Sequence, residues 1–169
     1  MSLTYEVARQ RAPVQEEGFR GEYLQALRLI ERLHRLLLDV IKDEFDRQGG
    51  AELNSVQALL LYNIGESELT AGELKTRGYY LGSNVSYNLK KLVDMGYIHY
   101  KRSDTDRRSV RVSLTDKGHE ARDIVSKLYL RQLGSVQTVG EVSGDDVKGL
   151  NKALVRLERF WSDQIRYRL

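Results

Sequence analysis

The chain reads as mainly α-helical with one small β-hairpin, a central lobe set between long helices. Three observations carry this. Ser83 to Ile98 has helical spacing, with one apolar face and one face of amides, hydroxyls and lysines. Ser103 to Gly118 then has the alternation of a two-stranded hairpin, followed by a helix start. On either side lie long apolar stripes at helical spacing, and a single proline, Pro13, occurs in 169 residues. A polar helix followed by an arginine-tipped hairpin is the layout of a winged helix-turn-helix.

Taken in order, Met1 to Gly18 shows no clear periodicity and reads as an arm. A first helix is predicted from about Gly21 to Gln48, stopped by Gly49 and Gly50. Tyr23, Leu27, Ile30, Leu33, Leu37, Ile41 and Phe45 form its stripe, widened by Leu24, Leu36, Leu38 and Val40. That is more apolar surface than one small domain covers, so part of it is expected to meet a second subunit. A second helix starts near Asn54 and Ser55, where a side-chain oxygen can cap free backbone donors. It buries Val56, Leu59, Leu60 and Ile64 and ends at Gly65. Thr70 to Glu73 is a capping box opening a short third helix that ends at Gly78, with Leu74 toward the core.

Tyr79 to Gly82 turns the chain into a fourth helix, N-capped by Ser83 and ended before Gly96. Tyr97 to Arg102 is a strand. Val110, Val112 and Leu114 alternate with Arg111 and Ser113 in a second one, and Asp104 to Asp106 supplies the turn. Thr115 caps a fifth helix striped by Ala121, Ile124, Val125, Leu128 and Gln132. Gly134 to Gly144 is broken by glycines. A sixth helix runs from about Asp145, with Leu150, Leu154, Leu157, Trp161 and Ile165 on one face. The resulting division is an arm and dimerisation helix over 1–52, a winged helix-turn-helix lobe over 53–116 and dimerisation helices over 117–169. Leu27, Ile30, Leu150, Leu154, Leu157 and Trp161 are the candidate dimer contacts.

Charge points to a partner. The net charge is +3, but Lys75 to Lys117 holds ten Lys and Arg against four Asp, a local +6 that leaves −3 elsewhere. A basic block in an otherwise acidic chain is the footprint of a phosphate-binding surface. The absence of cysteine excludes disulfides, thiolate metal sites and cysteine redox sensing. No apolar run reaches the roughly 18 residues of a membrane helix, and the N-terminus lacks a signal-peptide pattern. A cytoplasmic protein with no membrane partner is expected. His34, His99 and His119 show no metal spacing, and neither a phosphate-cradling glycine motif nor a nucleophile elbow occurs. No enzyme, metal or cofactor is expected.

On the fourth helix Val85, Leu89 and Leu92 share the core face. Asn84, Tyr87, Asn88 and Lys91 form a polar stripe flanked by Ser83, Ser86 and Lys90. Exposed helices ordinarily favour Glu, Lys and Ala, so this composition costs helix propensity. A helix of this length fits the major groove of double-stranded DNA, where Asn can pair with adenine edges and Lys contacts phosphates. In the hairpin loop Arg107 and Arg108 follow Asp104 and Asp106. Guanidinium groups suit narrow minor grooves, and an aspartate such as Asp106 can aim one of them by a bidentate pair. Lys101, Arg102 and Arg111 would flank this wing and touch phosphates. A winged helix used as a protein-interaction or RNA-binding module, without operator specificity, is the alternative that these residues leave open.

The arrangement of Asp104, Asp106, Arg107 and Arg108, followed by Leu114, Thr115, Lys117 and Gly118, resembles the MarR family of bacterial winged-helix transcription regulators. The likeness in architecture spans about Gly21 to Leu169. The resemblance implies a homodimer with interlocked terminal helices, binding a pseudo-palindromic operator as a regulator of repressor type. It implies a recognition role for Ser83 to Lys91 and a wing role for Asp106, Arg107 and Arg108. It also implies control by a small aromatic or phenolic effector, for which Arg20, His34 and Tyr62 are the candidate contacts. The peroxide-sensing branch of the family uses cysteine and is closed to this chain. Tyr79, Tyr80, Gly82, Asn84 and Tyr87 make an approach richer in tyrosine and asparagine than most members have, so no operator sequence is inferred.

Overall fold

The computed structural model describes residues 3–49, 52–70, 73–74, 82–102 and 110–167, with the side chains of 3–16, 82–85, 102 and 110 left out. Among these residues the elements are α1 (Leu3–Arg47), α2 (Ser55–Ile64), β1 (Leu69–Thr70), α3 (Gly82–Asp94), β2 (Ile98–Arg102), β3 (Val110–Leu114), α4 (Asp116–Thr138) and α5 (Gly144–Tyr167). The chain is mainly helical, with a small antiparallel sheet as its wing. It divides by internal contacts into two units, Met1–Val125 and Ser126–Leu169, and α4 runs through the boundary.

The first helix departs from expectation. The backbone from Leu3 onward, expected as an arm, is helical and contains Pro13. The arm expectation rests on the lack of apolar periodicity before Gly18, and a backbone can be helical without it, even across a proline that removes one donor. Burial along α1 is graded. Leu33 and Leu36 are exposed, Leu27, Ile30 and Leu37 are half-buried, and Ile41 and Phe45 are buried.

In α2 the predicted cap is realised. The Gln57 N–H donates to Asn54 Oδ1 at 2.8 Å, and the Asn54 N–H donates to Gln57 Oε1 at 3.2 Å. Gly65 closes the helix at φ 68°, a conformation that favours glycine. The buried side is rotated from the predicted one. Gln57, Ala58, Leu60, Leu61 and Ile64 are buried, whereas Val56 and Leu59 are half-buried. In an apolar run such as Ala58 to Leu61, composition alone does not select the inward face.

The Thr70 box also forms. The Thr70 N–H and hydroxyl donate to Glu73 Oε2 at 2.7 and 2.9 Å, and the Glu73 N–H donates to Thr70 Oγ1 at 3.1 Å. Leu74 is buried as predicted; the rest of the predicted short helix to Gly78 and the turn after it lie outside the described residues. Leu69 and Thr70 have a second role. They pair with Val112 and Arg111 as an edge strand, so the hairpin is a three-stranded sheet ordered β1-β3-β2. Two residues are too short a run to show a strand period. In the hairpin, Ile98 faces Leu114 and Lys101 faces Arg111. The alternation is as read, with Val112 and Leu114 buried and Arg111 exposed.

Helix α3 begins at Gly82, which places Ser83 inside its first turn and not at the cap. Helix α4 begins as predicted after Thr115, whose Oγ1 accepts from the Gly118 N–H at 3.1 Å. It buries Ala121, Val125 and Leu128 and continues through Gly134 to Thr138. Helix α5 starts in a third capping box. The Ser143 N–H and hydroxyl donate to Asp146 Oδ2 at 2.9 and 2.5 Å, and the Asp146 N–H donates back to Ser143 Oγ at 3.1 Å. No residue described in α5 is buried.

Candidate nucleic-acid interface

The core of the first unit holds α3 by Leu89 and Leu92, both buried, against a sheet that contributes Ile98, Val112 and Leu114. The outward residues of α3 among those described are Ser86, Tyr87, Lys90, Lys91 and, at its last position, Asp94. Tyr87 is 61% exposed, and Lys91 Nζ lies 6.0 Å from the centre of its ring. The i, i+4 spacing splits this surface into two rows. Ser86 and Lys90 border a cleft of about 380 Å³ shared with Leu89, Val93 and Tyr100 of β2. Tyr87 and Lys91 border another of about 430 Å³, toward Lys42 of α1 and the Asn54–Ser55 start of α2. Neither lysine makes an ion pair among the described residues.

Asn88 requires a correction. It is 8% exposed and belongs to the buried layer, not to the outward polar stripe. Its position explains this, because it lies four residues before Leu92, which is fully buried. No buried polar side-chain atom among the described residues lacks a partner, so the Asn88 amide is satisfied within the protein. The side chains of Ser83 and Asn84 lie outside the described residues, as do Asp104, Asp106, Arg107 and Arg108 at the wing tip and the side chain of Arg102.

Of the remaining wing residues, Lys101 is exposed and stands opposite Arg111 across the β2–β3 ladder. Like charges directly opposite one another are unfavourable. Glu68, which the sequence reading missed, relieves this pair, accepting from Arg111 Nη1 at 3.2 Å. Arg111 is therefore ion-paired in this structure and not an uncommitted cation awaiting phosphate.

The Leu114, Thr115, Lys117, Gly118 segment has a structural job. A Cβ on Gly118 would stand 2.1 Å from the Tyr97 carbonyl oxygen, so only glycine fits. Thr115 Oγ1 donates to the Gly96 carbonyl at 2.7 Å. Lys117 Nζ donates to Glu52 Oε2 and to the Met95 carbonyl, at 3.2 and 3.1 Å. The Tyr97 hydroxyl also donates to Glu52, at 3.2 Å. Burial raises the Tyr97 pKa, Lys117 opposes the rise and Glu52 adds to it; the bond to Glu52 raises that of Lys117. A glycine within the first turn of a helix is the one sequence signal that could have shown this close approach. Glu52, 65 positions from Lys117, had none.

The other candidates are spread over the chain. Arg20 and His34 are exposed on α1, and Tyr62 is half-buried on α2. None of them lines the two clefts beside α3, nor a third of about 400 Å³ formed within the second unit by Tyr129, Leu133, Val136 and Val147. Leu150, Leu154 and Trp161 are exposed on α5, and Leu157 is half-buried. Among the described residues no group of His, Asp and Glu could hold a metal ion, and no helix is long and apolar enough to cross a membrane.

Comparison with known proteins agrees with this geometry. A family model for a winged helix DNA-binding domain matches residues 53–118. The exopolysaccharide II synthesis transcriptional activator ExpG of Rhizobium meliloti is 35% identical over 148 residues, which cover 86% of this chain and 74% of the relative. Among solved structures, AbsC, a MarR family transcriptional regulator from Streptomyces coelicolor, superposes with a TM-score of 0.63 at 22% identity, over 82% of this chain and 93% of that one. A MarR protein from Peptoclostridium difficile gives 0.69 at 18% identity, over 82% and 88%. A MarR mutant from E. coli complexed with operator DNA gives 0.64 at 20% identity, over 80% and 95%.

Proposed function

The chain belongs to the MarR family of winged-helix transcription regulators, DNA-binding proteins and not enzymes, and from that premise we propose that it binds a pseudo-palindromic operator as a homodimer. In this reading α3 enters the major groove, with Ser86, Tyr87, Lys90 and Lys91 toward the DNA. The wing, with Lys101, Arg102, Asp106, Arg107, Arg108 and Arg111, lies along the adjacent minor groove. The observation that carries it is the outward face of α3. It combines hydroxyls and lysines, and its one acidic residue, Asp94, stands at the C-terminal end of the helix, beyond the Ser86–Lys91 surface. Asn88 drops out of the base-reading set because of its burial.

Dimerisation through α1, α4 and α5 is supported by Leu150, Leu154 and Trp161, which the protomer leaves exposed. The family resemblance implies a repressor. Kinship with ExpG supports activation instead, since that relative is a transcriptional activator. Modulation by a small aromatic effector remains part of the proposal, on the strength of the family.

The test is fluorescence anisotropy on duplex DNA from upstream of the chain's own gene, against shuffled duplex, across a salt series. The expected result is selective binding, with log K falling by about 0.9 per log unit of salt for each phosphate neutralised. Lys91→Ala should weaken all sequences alike and flatten that slope by about one unit. Equal weak binding to both duplexes would overturn the operator reading. A panel of aromatic acids that shifts neither melting temperature nor DNA affinity would remove the effector.

A further inference from the structure

We propose that Lys117 is a positioning residue: it sets the angle between α3 and the start of α4, and through that angle the half-site spacing a dimer accepts. The inference rests on the dimeric operator reading above. The Lys117 ammonium has three N–H groups and three partners from other parts of the chain. They are Glu52 Oε2 at 3.2 Å, the Met95 carbonyl at 3.1 Å and the Tyr97 ring, whose centre is 4.2 Å away. The last two belong to the chain leaving α3, and Glu52 belongs to the connection between α1 and α2.

The backbone tightens the same joint. The Tyr97 N–H donates to the Leu92 carbonyl at 2.8 Å, and the Thr115 N–H donates to the Tyr97 carbonyl at 3.1 Å. Gly118 packs against that carbonyl so closely that no side chain fits. The end of α3 and the beginning of α4 are thus fastened together, and Lys117 ties both to a third element.

Stability does not explain the arrangement. The Lys117 and Glu52 side chains are 45% and 56% exposed, and exposed ion pairs contribute little. Three partners, drawn from the chain after α3 and from the connection between α1 and α2, hold the ammonium in place, and with it the tilt. The 23 residues of α4 make it a long lever. At 1.5 Å per residue it spans about 34 Å, so a tilt of roughly 6° displaces its far end by about 3.4 Å, one base-pair step.

The experiment starts by selecting duplexes from a random pool with the wild-type protein. Affinities are then measured for the selected site, for the same site with one base pair added or removed between half-sites, and for one half-site alone. Wild type should lose about tenfold or more when the spacing changes. Lys117→Met and Glu52→Gln should reduce that penalty to about threefold or less while holding single half-site affinity within about twofold. Lys117→Arg, which keeps the charge and a donor, should retain it. If Lys117→Met does not fold, Glu52→Ala, at an exposed position, removes one of the three partners and takes its place. Full spacing discrimination in the variants overturns the inference and leaves the operator reading standing. Equal losses on every duplex with a flatter salt slope do the same, by making Lys117 a phosphate contact. If wild type enriches no sequence, the operator reading falls and this inference falls with it.

Discussion

The lobe around α3 and the helix α5 solve opposite problems with similar residues. In the lobe, Leu60, Leu61, Leu74, Leu92 and Val112 are all fully buried, drawn from α2, the Thr70 box, α3 and β3. In α5, Leu150, Leu154, Trp161 and Ile165 fall on one face and are all exposed. Both regions have helical or alternating apolar patterns, so the pattern does not say where burial comes from. The lobe meets its own needs because short elements fold back on one another. A 24-residue helix such as α5 is too long for its unit to cover, and a contiguous exposed apolar face of that kind marks an interaction surface.

Five outcomes would break or sharpen this contrast. The largest is expected from Leu154→Glu, which places a charge in the proposed dimer contact; light scattering should report half the wild-type mass. An unchanged mass would assign the α5 face to something other than a second copy. Leu61→Ala should destabilise the lobe by about 2–5 kcal/mol in chemical denaturation, with no dependence on protein concentration. Leu150→Ala, by contrast, should matter only through dimerisation and should vary with concentration. Gly118→Ala forces a Cβ against the Tyr97 carbonyl and should cost about 1–3 kcal/mol; a neutral result would show that the start of α4 shifts freely.

The smallest effect concerns Asp146. Its pKa lies below the ordinary carboxylate value because the Ser143 hydroxyl, and then the Ser143 N–H, donate to it. A lowered folded-state pKa stabilises the fold above the unfolded value, and that contribution is lost as pH falls through the folded one. In an NMR titration Ser143→Ala should move the Asp146 midpoint upward. An unmoved midpoint would assign the depression to another cause.

Much of the molecule was legible without coordinates. Caps are local, so the boxes at Asn54 and Thr70 and the Thr115 cap could be read within four residues. Alternation placed β2 and β3, and the Leu114 to Gly118 motif pointed to the family. On the outward face of α3 the candidates Ser86, Tyr87, Lys90 and Lys91 were legible and stand outward, whereas Asn88 does not, as its spacing to Leu92 shows. Wing-tip arginines were legible as chemistry, while their geometry lies outside the described residues.

The sequence by itself determined where elements begin, which faces are apolar and where basic charge concentrates, because these depend on neighbours within one or two turns. Tertiary structure alone decided the remainder. It made Leu69 and Thr70 a third strand, gave Arg111 to Glu68 and placed Lys117 between Glu52, Met95 and Tyr97. The strand pairing and the ion contacts join residues 20 to 65 positions apart. Such separations leave no periodic trace in a chain, because only the packed core brings the partners within a few ångströms.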